Sequence, residues 1–257
     1  MRITFILLTC VAVLSATNAI KKFIISRIDL NISGVEHVQA ITNYTLSELP
    51  LYTQYMIDNR RRSHMEIGNM AMVGCFMSHL SIWERMNMSG DVVLVLEEDA
   101  LLDLNYDTRI DMILESTGNT SWDVIMLTSR MWGVAKMNTV ALNDYLYRCQ
   151  TKKGCDWFGT RGYLLHPNAI PKLLANVFPI VVQVDAFLSL MNSYHPNFVM
   201  LWSVQEVVHE SWFHLSSIWD MCLVCFVTEE IIAYVVILSI VYHLLKTKLR
   251  SIHKVDR

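Results

Sequence analysis

The sequence predicts an α/β domain in which a buried sheet is interleaved with helices. Three observations carry this reading. Val92 to Leu96 is an unbroken aliphatic run, the pattern of a central strand covered on both faces. Met72, Phe76, Leu80 and Trp83 recur at helical spacing just before it. Beyond it, further apolar strand-like runs alternate with short helical ones. The chain has 257 residues, enough for one such domain plus targeting segments. Its net charge of -3 gives no basic excess for a nucleic-acid surface.

Taken in order, residues 1–19 read as a signal peptide. Arg2 supplies a short positive start, Ile3 to Leu14 an apolar run, and Thr17-Asn18-Ala19 a cleavage site after Ala19. The run is shorter than the roughly 20 apolar residues of a membrane span. An uncleaved anchor is the alternative, and either delivers the domain, 20–218, to the secretory lumen. A first strand is predicted over 22–30, β-branched and bounded by polar residues. A helix interrupted at Pro50 is predicted over 43–59. Arg60-Arg61-Arg62 follows, as a solvated corner or a phosphate contact. The helix over 70–86 carries Ser78-His79, and Gly90-Asp91 breaks the chain before the central strand. Further strands are predicted over 122–128 and 159–166, then a helix over 167–176. A short strand over 181–184 leads into Asp185 and a helix over 186–192.

The C-terminal part reads as a membrane anchor over 221–245. Its uncharged core, Ile231 to Leu245, is about 22 Å long as a helix, against a hydrocarbon core of roughly 30 Å. Extension toward Met221 brings in Glu229 and Glu230, which are expected at the lumenal interface. The tail 246–257 carries Lys246, Lys248, Arg250, Lys254 and Arg257, which places it in the cytoplasm and makes the topology type I. A buried core helix is the alternative. Of the six cysteines, Cys149 and Cys155 could close a small loop in an oxidising lumen or remain free thiols. Cys75 falls on an apolar helical pattern and is expected to be buried. Four N-glycosylation sequons begin at Asn31, Asn43, Asn87 and Asn119.

The central strand ends in Glu97-Glu98-Asp99. Adjacent carboxylates repel unless a cation sits among them. Residues two apart on an extended segment point the same way, so Glu97 and Asp99 can converge while Glu98 points away. Two hard oxygen donors suit Mn²⁺ or Mg²⁺ held with substrate phosphates, as in nucleotide-sugar transferases. A solvated acidic turn is the plainer alternative. His79 is either a hydrogen-bonded core histidine or a group near a bound donor. Asp185 is either a general base for an acceptor hydroxyl or a helix cap. Tyr163 and Trp157 either pack or stack on a ligand.

These segments together resemble the LPS and procollagen glycosyltransferases of family 25. Gly74, Cys75, Ser78, His79 and Trp83 match a family segment with Gly-Cys, two spacers, Ser-His and a downstream Trp. Leu96, Glu97, Asp99 and Ala100 match the family's acidic motif, with Glu98 in place of its usual middle Asp. Gly159, Thr160 and Tyr163, then Ala169, Leu173 and Leu174, match a strand and the helix after it. Asp185 stands in the family's Asp-centred segment. Ser26 and Arg27 stand where the family's first strand contacts nucleotide, in a stretch that departs from the family pattern.

The resemblance implies a GT-A-like fold, a single Rossmann-type nucleotide-sugar-binding domain. It implies transfer of a hexose from UDP-galactose or UDP-glucose to a hydroxyl of a protein or glycan acceptor in the ER or Golgi lumen. Glu97 and Asp99 are the expected metal ligands, Ser26, Arg27 and His79 the further donor contacts, and Asp185 the base. The membrane is an expected partner and nucleic acid is not. The alternative is a non-catalytic relative that acts as a membrane-bound binding or adhesion protein. A metal-dependent hydrolase would need paired further ligands, and His209 and His214 do not have that spacing.

Overall fold

The computed structural model describes residues 20–42, 45, 53, 65–128, 138–151 and 159–210. The expected leader, the Arg60–Arg62 run, Cys155, Trp157, the membrane segment and the tail lie outside them, as does most of the helix expected over 43–59. Among the described residues no helix is long and apolar enough to cross a membrane.

Ten strands and four helices are described. The strands are β1 Ile20–Ser26, β2 Glu36–Gln39, β3 Val92–Glu97, β4 Ala100–Leu102, β5 Val124–Met126, β6 Thr139–Ala141, β7 Leu146–Cys149, β8 Gly162–Leu165, β9 Met200–Ser203 and β10 Val208–Glu210. The helices, in chain order, are α1 Met70–Met86, α2 Tyr106–Thr117, α3 Ala169–Leu174 and α4 Val184–Tyr194. Eight strands form one mixed sheet in the order β2-β1-β3-β8-β5-β9-β7-β6, and β10 pairs with β4 apart from it. β1 lies parallel to β2 and β3, and β5 parallel to β9. β8 runs antiparallel between β3 and β5. The C-terminal ends of β1, β3, β5 and β9 therefore share one edge of the sheet.

Side chains alternate across a strand, and β3 is apolar on both sides because both sides are covered. Val93 and Val95 join a cluster with Met72, Phe76, Leu80 and Trp83 of α1 and with Phe187 and Leu188 of α4. Leu94 and Leu96 join a second cluster with Ile110 and Ile113 of α2. The result is three layers, with each fully buried aliphatic side chain of β3 stabilising the fold by about 1.5–3 kcal/mol. Helix α1 starts where Asn69 Oδ1 accepts the Met72 N–H at 2.9 Å.

The strands expected over 122–128 and 159–166 and the helix expected over 167–176 are shorter than expected, and two further boundaries differ. The first strand stops at Ser26, not at residue 30. Ser26 Oγ accepts the Ile28 N–H and Asp29 Oδ1 the Asn31 N–H, local bonds that replace strand pairing. The strand expected over 181–184 is a single bridge between Glu66 and Val182. Helix α4 already begins at Val184 with Gln183 as its N-cap, so Asp185 lies in its first turn.

Gly74 and Ser78 dock the chain after β2 onto α1. Ser78 Oγ donates to the Gly74 carbonyl at 2.7 Å and accepts the Ile41 N–H at 2.9 Å. A Cβ on Gly74 would lie 2.1 Å from the Ile41 carbonyl oxygen. Helix propensity favours alanine over glycine by about 0.5–1 kcal/mol, but overpacking against fixed backbone costs about 1–3 kcal/mol or more. Gly74→Ala is therefore expected to lower stability by at least about 1 kcal/mol, read as a lower urea midpoint. A midpoint at or above that of the wild type would contradict the close approach.

Cys75 is a free thiol and Cys149 is disulfide-bonded. Cys75 and Cys149 are the described cysteines, so the partner of Cys149 lies outside the described residues. The sequon asparagines Asn31, Asn87 and Asn119 are exposed, and Asn43 lies outside the described residues.

Candidate active site

Glu97 continues the alternation of Val93 and Val95 and so faces α1. Its Oε1 accepts Thr160 Oγ1–H at 2.5 Å and lies 3.2 Å from His79 Nε2. Glu98 lies on the other side, with β1. It accepts from the Arg27 backbone N–H at 3.0 Å, Arg27 Nε at 2.8 Å and Ser26 Oγ at 3.4 Å. Asp99, in the turn after β3, accepts from Arg161 Nε at 3.0 Å.

Three consecutive residues hold three of the four acids at this edge. Gly159 gives its backbone N–H to Asp185 Oδ2 at 2.9 Å, Thr160 its hydroxyl to Glu97, and Arg161 its guanidinium to Asp99. The register is fixed by the Arg161 carbonyl, which accepts the Glu97 N–H at 2.9 Å. Gly159 has φ +106°, a conformation that side-chain-bearing residues rarely adopt.

The acids sense one another. Burial pushes Glu97 up, but hydrogen bonds from His79 and Thr160 and the nearby Arg161 charge outweigh it and hold the carboxyl below its ordinary range. Asp99 is held above its ordinary range, first by burial and then by the Glu97 charge, with Arg161 offsetting part. Asp185 is also raised, by burial and in part by Glu97, against the N–H bonds of Gly159 and Ala186. Burial and these three carboxylates push the Cys75 thiol well up, so it stays protonated.

The donor set fits a divalent cation. Asp99 Oδ1 is buried with no hydrogen-bond partner among the described residues. Glu97 has both of its side-chain bonds on Oε1, which leaves Oε2 without one. Each of these two acids thus has one oxygen tied to the protein and one left over, and the one on Asp99 is buried, where acceptors are seldom left unpaired. Hard oxygens of this kind suit Mn²⁺ or Mg²⁺.

The other expected residues are placed as follows. His79 is fully buried beside Glu97. Ser26 and Arg27 cluster with Glu98, on the β1 side. Asp185 receives Gly159 on Oδ2 and the Ala186 N–H on Oδ1 at 2.7 Å. Tyr163 is fully buried, as packing predicts. Sequence reasoning missed Arg161, whose pairing with Asp99 spans 62 residues. The one available signal was a cation two residues after a glycine, opening a buried strand.

The acidic end of β3 lies on a mixed α/β sheet, the fold class that the sequence motifs foresee, and the Gly-Thr-Arg clasp on it is an addition that they do not. A family model described as glycosyltransferase family 25 (LPS biosynthesis protein) matches residues 11–188, and the chain belongs to that family. A "Glycosyltransferase 25 family member" of Anopheles gambiae is 28% identical over 170 residues, 63% of this chain and 28% of the relative. The human "Inactive glycosyltransferase 25 family member 3" is 33% identical over 136 residues, 49% of this chain and 21% of the relative. "Procollagen galactosyltransferase 1-A" of Xenopus laevis is 29% identical over 136 residues, 48% of this chain and 20% of the relative. The match therefore spans less than a third of the length of each of these curated relatives.

Proposed function

We propose that this chain is a metal-dependent hexosyltransferase of the secretory pathway with a GT-A-like domain. It moves a sugar from a nucleotide-sugar donor, UDP-galactose or UDP-glucose, to a hydroxyl of a protein or glycan. The observation that carries this is the clasp of three acids at one sheet edge, with Asp99 Oδ1 buried and unpartnered. The procollagen galactosyltransferase name of one relative supports the choice of donor and acceptor class. The disulfide at Cys149 and the exposed sequons support a lumenal setting.

A bound Mn²⁺ or Mg²⁺ supplies the positive charge that offsets the nucleotide diphosphate as it leaves. Glu97 Oε2 and Asp99 Oδ1 are the oxygens that would hold it. Thr160 and Arg161 keep those carboxylates in place. Arg27, set beside Glu98 at the end of β1, is the candidate contact to the nucleotide. Asp185 is the candidate general base: its raised carboxyl lies nearer the working pH that proton abstraction needs.

The test is nucleotide release by the full-length protein with Mn²⁺ and a panel of nucleotide sugars plus an acceptor. Release with one UDP-hexose, lost on adding EDTA and restored by excess Mn²⁺, is expected. Undiminished release in EDTA would contradict the metal role.

A second reading is a non-catalytic relative on the same fold. The human relative named inactive favours it, as do Arg161 and Arg27, which already neutralise Asp99 and Glu98. No release with any donor, from protein that still binds UDP, is its expected result.

A further inference from the structure

We propose that His79 is a positioning residue that occupies Glu97 Oε1 with an Nε2–H hydrogen bond and so reserves Oε2 for the divalent cation. This rests on the metal reading above.

The assignment follows from counting donors and acceptors around Tyr163. Its hydroxyl is fully buried and has two hydrogen-bonding neighbours among the described residues, Trp83 Nε1 at 3.1 Å and His79 Nδ1 at 2.9 Å. An indole N–H can only donate, so Trp83 takes one oxygen lone pair. Burial holds the Tyr163 phenol far above its ordinary value, so the oxygen keeps its hydrogen. A buried hydroxyl hydrogen needs an acceptor, because leaving it unpaired costs the full desolvation of the group. His79 Nδ1 is the acceptor in reach. The ring proton is therefore on Nε2, which lies 3.2 Å from Glu97 Oε1.

The same count decides against a competing site. Cys75 Sγ, a ring nitrogen of His79 and a carboxylate oxygen of Glu97 lie within 4.8 Å of one another, spacing that could hold a metal. Cys75 and His79 are four residues apart on α1 and share its face. A metal there would need the Nε2 lone pair, which the proton occupies. The trio is a buttress behind Glu97 and not a metal centre. Trp83, Tyr163 and His79 form one directed chain of donors that ends on Glu97 Oε1, the oxygen of that carboxylate not assigned to the cation. Groups that orient ligands in this way typically account for 10–100-fold in metal affinity.

Two measurements on the full-length protein test this. Long-range ¹H–¹⁵N spectra of histidine-labelled protein, with His79 assigned by the signal lost in His79→Gln, are expected to show the Nε2–H tautomer. The Nδ1–H tautomer would overturn the proposal, whatever the effect of the alanine variant. Mn²⁺ affinity, read by electron paramagnetic resonance of the free ion, is expected to fall about tenfold or more in His79→Ala. His79→Gln keeps an N–H donor near the Nε2 place and is expected to recover most of the loss. Asp99→Asn serves as the reference for the site itself. If Asp99→Asn loses Mn²⁺ while His79→Ala and His79→Gln bind as the wild type does, the positioning role fails and the metal reading stands. If the wild type binds no Mn²⁺, or Asp99→Asn binds it unchanged, the metal reading fails and the proposal falls with it.

Discussion

Asp99→Asn is expected to cut nucleotide release about a hundredfold or more while leaving the protein at least as stable as the wild type. Losing one preorganised electrostatic group at a reacting centre commonly costs 10²–10³ in rate, and here the lost charge belongs to a ligand of the proposed cation. The stability half of the prediction comes from the sign of the titration shift. Burial, then the Glu97 charge, hold Asp99 above its ordinary value. A raised carboxyl means that the ionised form is disfavoured by folding. Its charge therefore subtracts from stability at neutral pH, and the loss is recovered as pH falls through the raised value. Asparagine removes that charge and keeps an oxygen for Arg161. Glu98→Gln is expected to cost less than about tenfold, because its side chain lies with Ser26 and Arg27 on the far side of the strand. Equal losses in the two variants, at matched thermal midpoints, would contradict the division of acids between the two sides.

Asp185→Asn is expected to lower kcat by about 10²–10⁴, the usual contribution of a general base, with UDP affinity little changed. The substitution separates the two roles open to this residue. Asparagine keeps an oxygen that can accept the Gly159 N–H, so the clasp can persist, but its amide cannot take a proton from an acceptor hydroxyl. Single-turnover transfer together with UDP titration reads both quantities. Near wild-type kcat in Asp185→Asn would leave Asp185 as a structural anchor for Gly159. A parallel collapse of UDP affinity would mean that the clasp had opened.

The parts of the fold that were legible are those with dense, regular patterning. Val92 to Leu96 and the 70–86 helix are buried on whole faces, so periodicity alone places them. The split between Glu97 and Glu98 was legible for the same reason, since alternation continues to the end of a strand. β6 and β7 were not legible: β6 is the edge strand and β7 its neighbour, and apart from Leu146 their residues are exposed or half-buried and leave little apolar pattern. Helix α2 buries only Ile110 and Ile113 and reads as a polar stretch. The start of α4 was misjudged because Val184 is apolar whether it ends a strand or begins a helix. The clasp was illegible because its bonds join residues 26, 63 and 62 positions apart. Sequence could mark Gly159, Thr160 and Asp185 through the family resemblance, but not which acid each neighbour would hold.

Glu97 and Asp99 are proposed to hold a divalent cation against the donor diphosphate. Anomalous diffraction from crystals of the protein soaked with Mn²⁺ and UDP tests it most directly. One strong peak is expected within coordination distance of Glu97 Oε2 and Asp99 Oδ1, with UDP bound beside it, and no such peak in Asp99→Asn. UDP bound with no peak at these oxygens, or a peak on Cys75 and His79 instead, would contradict it.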